Sequence, residues 1–222
     1  MSFWKAMIAI GAIIIVLGLL LATGVIPIGS GNLQTQQKNF SDFTIINLNN
    51  GLQVQITQGS SYNVSITADS NVINRVDVTQ TGNVLTIGLQ PGTLFDIGGT
   101  LRATIMMPDL QEIDLTEGSS ANVANFAMSH DISVSASGGS TITMNGQANG
   151  LSASCSGGGG LKLSNFHVNT ASVQLSGGSS ATISVSDKLD ANLSGGSSLT
   201  YSGNPTLGTI INTGLSTITR RP

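Results

Sequence analysis

One nine-residue phrase recurs six times in the second half of the chain, and this recurrence constrains the fold more than any other feature. Aligned on the residue before the glycine pair, the copies are Thr116 (LTEGSSANV), Ser137 (ASGGSTITM), Ser156 (CSGGGGLKL), Ser176 (LSGGSSATI), Ser194 (LSGGSSLTY) and Thr213 (NTGLSTITR). The successive spacings are 21, 19, 20, 18 and 19 residues. Self-similarity at a fixed spacing means one supersecondary unit per period, and units that cannot bury their apolar face alone must stack.

The flanks of each turn say what the unit is. Apolar residues alternate with polar ones before the turn (Ile113 and Leu115, Val134 and Ala136, Ala153 and Cys155, Val173 and Leu175, Ala191 and Leu193) and again after it (Ala121 and Val123, Ile142 and Met144, Leu161 and Leu163, Ala181 and Ile183, Leu199 and Tyr201). A period of two is a strand with one buried face and one wet face. Each repeat therefore reads as strand, glycine corner, strand and return loop. Stacked about 4.8 Å apart, the copies place each apolar column over itself and make a narrow continuous core filled by Ala, Val, Leu and one Cys. The expected fold is all-β: a single-stranded parallel β-helix, or β-solenoid, of about 20 residues per coil. The glycines supply corner geometry at no steric cost, and the flanking Ser and Thr can bond turn amides. The last copy is the least regular, and Arg220, Arg221 and Pro222 read as a frayed cap against edge pairing.

Residues 42–109 are also strand-rich, and ITQGSSYNV at 56–64 matches LTEGSSANV at 115–123 with an offset of 59. That match places the start of the solenoid in this half, as irregular coils over 42–109 leading into regular SGGSS repeats over 110–222. Residues 30–41 are polar and turn-rich and read as a linker. Residues 1–29 are a different material. Ala6 to Ile28 carries no charge and is long enough to cross a bilayer as a helix, and Lys5 just before it directs the N-terminus to the cytoplasm. The competing reading is a signal peptide cleaved near Ala22-Thr23-Gly24. The expected location is the cell membrane, single-pass with the domain outside, or secretion if the segment is cleaved.

Together these features resemble a known family, the auto-transporter adhesin head or GIN domain of exported bacterial and archaeal proteins. The resemblance is carried from about Phe40 to the C-terminus by FSDFTIINLNNGLQVQITQG, the LTI at 85–87, and PDLQEIDLTEGSSANV leading into the serial SGGSS turns. It implies a right-handed β-helical domain on an envelope-anchored or secreted protein, with adhesion as its role. It supplies no catalytic or ligand residues.

Composition narrows the chemistry. Charged residues are only 9% of the 222 and the net charge is −3, so the clustered cations that nucleic acid requires are missing. The lone Cys155 excludes an internal disulfide, and its column points inward, as a small hydrophobe would. A phosphate loop needs glycines opening a helix and a calcium repeat needs Asp beside them; the SGG copies have neither. Glu112, Asp114 and Glu117 form the nearest acidic cluster, but Ser135, Ser154, Gln174 and Asn192 stack above Asp114 and cannot act as general acid or base. His130 and His167 fall in return loops without an evident partner. No catalytic, metal or cofactor site is expected.

What remains is surface. Thr141, Thr143, Ser180, Thr182, Ser198, Thr200, Thr217 and Thr219 form an outward hydroxyl ladder, in columns that begin at Ser120 and Asn122 and are interrupted by Gly160 and Lys162. Such a ladder can order water or contact glycans. The chain is read as a non-enzymatic, membrane-tethered extracytoplasmic β-solenoid, an adhesin or envelope scaffold. Its partners would be the membrane through the N-terminal helix, a surface glycan or envelope protein, and further copies of itself, but not nucleic acid. The alternatives are a polysaccharide-acting β-helix enzyme and a self-assembling surface filament protein.

Overall fold

The computed structural model describes residues 29–93 and 99–222. The strands are β1 (Leu33–Lys38), β2 (Ile45–Leu48), β3 (Gln53–Gln58), β4 (Asn63–Asp69), β5 (Val76–Thr81), β6 (Val84–Leu89), β7 (Leu101–Met107), β8 (Glu112–Leu115), β9 (Ser120–Ala127), β10 (Ile132–Ala136), β11 (Thr141–Cys155), β12 (Gly160–Leu175), β13 (Ser180–Leu193), β14 (Ser198–Ser202), β15 (Thr206–Asn212) and β16 (Thr217–Arg220). A 3-10 turn at Ile73–Arg75 interrupts them. Apart from that turn the described residues are all-β, and they coil into a solenoid. The apolar segment expected to anchor it lies outside the described residues, and among those no helix is long and apolar enough to cross a membrane.

Hydrogen-bond register reproduces the sequence repeat. Ala121 pairs with Ile142, Ile142 with Leu161, Leu161 with Ala181, Ala181 with Leu199 and Leu199 with Ile218, all in parallel. All twenty inward-assigned residues flanking the turns are buried. Alternation and stacking are thus two views of one constraint, because a one-residue slip would turn every apolar side chain to water.

The return segment is strand, not loop. β11, β12 and β13 run through it, taking up the length differences at irregularities such as Thr143/Asn145 and Leu163/His167. In β12 the alternation breaks at two exposed pairs, Ser164-Asn165 and Asn169-Thr170. Each exposed pair is a bend, so a coil has three faces: Leu161 and Leu163 point inward from one, Phe166 and Val168 from a short one, Ala171 to Leu175 from the last. The extra face widens the interior, and the core is not filled by small residues alone: Phe43, Phe126 and Phe166 are fully buried in it.

The corners are backbone ladders. In each regular copy both glycines have positive φ, such as 66° at Gly195 and 75° at Gly196. The second glycine donates its N–H to the first glycine of the next coil: Gly139 to Gly157 at 3.1 Å, Gly158 to Gly177 at 3.0 Å, Gly178 to Gly195 at 2.9 Å and Gly196 to Gly214 at 2.8 Å. A side chain at Gly195 would stand 2.9 Å from the Gly177 nitrogen, whereas one at Gly196 would meet nothing. Leu215 occupies the open position in the last coil, with φ 62° and almost full exposure. The Ser that follows turns inward. Ser179 Oγ lies 2.8 Å from both the Cys155 and Ser176 carbonyls, which share its one proton, and Ser197 Oγ donates to the Ser194 carbonyl at 2.8 Å.

The N-terminal third departs from the expected register. β3 pairs with β9 as Gln53 with Ser120, an offset of 67 and not 59. The corner below Glu117-Gly118 is therefore Asn50-Gly51, with φ of 59° and 72°, and Thr116 N–H bonds the Leu48 carbonyl at 2.9 Å. ITQGSSYNV is not a corner, since its glycine links β3 to β4. Chain order and stack order also differ. The β2–β3 coil lies between β6–β7 on one side and β8–β9 on the other.

The far side of β6–β7 is closed by antiparallel strands: β5 on β6, β4 on β7, and β1 on β4. Part of the segment read as a linker is thus β1, paired from Leu33 to Lys38, with Thr35 and Thr67 hydroxyls 2.8 Å apart. Buried Asp69 staples this cap. Its Oδ1 accepts from Gly31 N–H and its Oδ2 from Thr100 N–H, both at 2.6 Å.

Candidate functional site

Because strand register is fixed on both sides, outward residues of successive coils stand in straight columns. Thr141, Gly160, Ser180, Ser198 and Thr217 occupy one column, and Thr143, Lys162, Thr182, Thr200 and Thr219 the next. The structure brings all eight expected hydroxyl residues onto one face. Thr143, Ser180, Ser198, Thr217 and Thr219 are exposed, and Thr141, Thr182 and Thr200 are half-buried. Direct bonding along the ladder is sparse. Thr217 donates to Ser198 at 3.3 Å, which leaves most hydroxyls available to solvent or a partner.

The face is longer than the sequence suggested. Ser120 and Asn122 extend the columns to β9, Gln53 and Gln55 to β3, and Arg102 and Thr104 to β7. Around Asn122 and Thr143 the surface dips into a depression of about 450 Å³. Ser120 and Asn122 were legible in the sequence columns, but Gln53, Gln55, Arg102 and Thr104 were not, because the misassigned corner put β3 out of register. The LNNGLQV corner carried the correct signal, with Asn in place of the first glycine.

The acidic cluster is divided between a strand and a corner. Glu112 and Asp114 share an outward face of β8, with Asn47 on one side of Asp114 and Ser135 on the other, followed by Ser154, Gln174 and Asn192. Glu117 sits apart on the corner and accepts from Asn50 Nδ2 at 2.6 Å. Among the described residues no group of three or more His, Cys, Asp or Glu could hold a metal ion.

Both histidines do have partners. His130 Nε2 lies 2.7 Å from Asp109 Oδ1 and its Nδ1 2.8 Å from the Asp131 carbonyl; those two bonds hold the imidazolium and raise its pKa. His167 is on β12, with Nδ1 2.9 Å from Ser184 Oγ. Among the described residues no carboxylate bonds its Nε2, so the pair lacks the third member of a hydrolytic triad. Cys155 is buried, and desolvation pushes its thiol pKa up, which suits a packing role over a nucleophilic one.

A second concavity, of about 740 Å³, runs along the short third face. Gln147, His167 and Ser184 form one wall, and Asn149, Asn169 and Ser186 the other. Asn169 Nδ2 donates to Asn149 Oδ1 at 3.2 Å, and Asn149 Nδ2 to Asp131 Oδ1 at 2.8 Å. Reading the return segment as a loop hid this alignment; the doubled polar residues at its bends were the available signal.

Solved structures with the same fold include an adhesin-titled protein from Bacteroides fragilis, at TM-score 0.70 and 18% identity, covering 87% of this chain and 99% of that one. Two from Parabacteroides each match at TM-score 0.53, over 87% of this chain and 98% of theirs. One is titled a putative lipid binding protein, from Parabacteroides distasonis, at 17% identity; the other a putative adhesin, from Parabacteroides merdae, at 18%. At such identities the likeness concerns the fold. No curated protein matches the chain. The family described as "Putative auto-transporter adhesin, head GIN domain" matches residues 42–205, which run from just before β2 to just after β14, and the chain belongs to it.

Proposed function

We propose that the protein is a non-enzymatic, membrane-tethered extracytoplasmic adhesion or envelope-scaffold module that makes contact through its hydroxyl ladder. The observation that supports this reading is the alignment of Thr141, Thr143, Ser180, Thr182, Ser198, Thr200, Thr217 and Thr219 in two in-register columns across successive coils. Their hydroxyls can each donate and accept, and a flat array of them contacts a repeating polymer at many weak points. None of the outward residues in these columns is acidic, and Lys162 and Arg102 are the charges on the face, so anionic surface glycans are favoured over cationic partners. Screening residues 29–222 on a glycan array tests this. Binding should fall at least tenfold in the triple variant Thr143→Glu, Thr182→Glu, Thr200→Glu, and equal binding by that variant would sink the ladder as the contact face.

Self-association is the second reading, and the C-terminal end favours it. β15 and β16 are edge strands, and Leu207, Ile210, Ile211 and Leu215 are exposed there. Unpaired strand edges beside apolar side chains are templates for another chain. The antiparallel cap makes the opposite end unlike this one, so two copies meeting by their C-terminal ends give a closed dimer more readily than a filament. Ile211→Lys should keep residues 29–222 monomeric at concentrations where the parent dimerises in sedimentation equilibrium. A parent that stays monomeric at high concentration removes this reading.

A further inference from the structure

We propose that the trough on the third face is a binding site for an uncharged, linear oligosaccharide lying along the solenoid axis. The inference is independent of the ladder, which occupies a different face. Three observations carry it. First, the trough is a real concavity of about 740 Å³, set between two parallel rows of polar side chains. Its floor is the backbone over Ala148, Val168 and Val185, whose small side chains turn inward and leave the centre low.

Second, its chemistry is two-sided and free of cations. The walls are Gln147, Asn149, His167, Asn169, Ser184 and Ser186; the lining itself holds no Asp, Glu, Lys or Arg, and the carboxylates behind it are Asp131, which accepts from Asn149, and Asp187, which accepts from Ser186. Amides and hydroxyls both donate and accept, as sugar hydroxyls do, whereas a phosphate or uronate polymer would find no permanent cation to meet it. An extended peptide is disfavoured on a separate ground. Peptides add to sheets through free backbone edges, and here the backbone is already paired on both sides, as Gln147 with His167 and His167 with Ser184.

Third, the rows are spaced and held in advance. Adjacent rungs are one coil apart, about 4.8 Å, close to the length of one pyranose unit, so a chain of sugars can meet an equivalent rung at each residue. Asp131, Asn149 and Asn169 are tied in series by bonds of 2.8 and 3.2 Å, and Ser184 is tied to His167 at 2.9 Å. Side chains fixed before binding lose less entropy on binding.

The test is isothermal titration of the full chain in detergent with five linear hexasaccharides: β-1,4-glucan, β-1,3-glucan, α-1,4-glucan, β-1,4-mannan and β-1,4-linked N-acetylglucosamine. Oligogalacturonate serves as the anionic comparison. At least one neutral hexamer should bind more tightly than oligogalacturonate. Its affinity should drop at least tenfold in Asn149→Ala/Asn169→Ala and in Ser186→Trp, which obstructs the trough from its rim, with the circular dichroism spectrum retained. The ladder variant Thr143→Lys should leave it unchanged. No binding by any neutral hexamer, or binding that survives both trough variants, overturns the proposal. Binding lost in the ladder variant alone transfers the site to that face.

Discussion

The two ends of the solenoid are built differently. At the N-terminal end the parallel stack is closed by β5 laid antiparallel on β6 and by β4 and β1 laid antiparallel beyond β7, with buried Asp69 fastening the join. At the C-terminal end β15 and β16 continue the parallel stack and stop, every residue of β15 exposed. A solenoid is a series of near-identical interfaces, so its interior tells little about what ends it. Termination must come from a unit that breaks the pattern. One end has such a unit, and the other presents apolar side chains and unpaired backbone to whatever lies beyond it.

The largest expected effect of breaking this contrast is at Asp69. Asp69→Ala leaves two backbone N–H groups without their carboxylate and should cost about 3 kcal/mol in urea unfolding. Asp190, at the other end, accepts from Thr209 N–H at 2.7 Å and pairs with Lys188, which lowers its pKa. Half-buried, with its side chain 32% open to water and its Thr209 partner on an exposed strand, it should shift the unfolding midpoint far less than Asp69 when changed to Ala. The corners rank next. Gly195→Ala forces a side chain to 2.9 Å from the Gly177 nitrogen at a positive φ and should cost about 2–3 kcal/mol, whereas Gly196→Ala, facing open space, should cost about 1 kcal/mol. In the last coil the natural chain already carries the strained residue. Leu215→Gly should therefore stabilise by up to about 1 kcal/mol and remove an exposed apolar side chain.

The smallest effect is a pH dependence at His130. Its folded pKa is raised above the usual value of about 6.5 by the Asp131 carbonyl and Asp109. The resulting stability is fully present below pH of about 6.5 and is lost as pH rises through the folded pKa. Both side chains are more than a third exposed, so screening holds the effect under about 1 kcal/mol. His130→Gln should flatten the urea midpoint against pH between about 5.5 and 8, and an unchanged slope would remove the pair from the account.

What the sequence made legible was whatever repeats. Alternation at Val173 and Leu175 or Ala181 and Ile183 places side chains inward because period two leaves one choice of face once stacking is assumed. Where repetition failed, so did the reading. The Asn50-Gly51 corner performs the same turn as Gly138-Gly139 with a different residue, since Asn also tolerates the left-handed region, and a search for paired glycines passes over it. The antiparallel cap uses long-range pairings such as Leu33 with Asp69, for which no local periodicity exists. The candidate ladder was legible as a column of hydroxyls. The trough was not, because it lies between two bends where the alternation shifts phase, at Ser164-Asn165 and Asn169-Thr170 in β12.

Amide hydrogen exchange on residues 29–222, read strand by strand at low protein concentration, tests the central claim that one end is closed and the other open. The account predicts slow exchange in β7, β3 and β9, protection continuing outward into β4, and fast exchange in β15 and β16. Protection of β15 and β16 equal to that of β3 in the monomer, or fast exchange throughout β4, would contradict it.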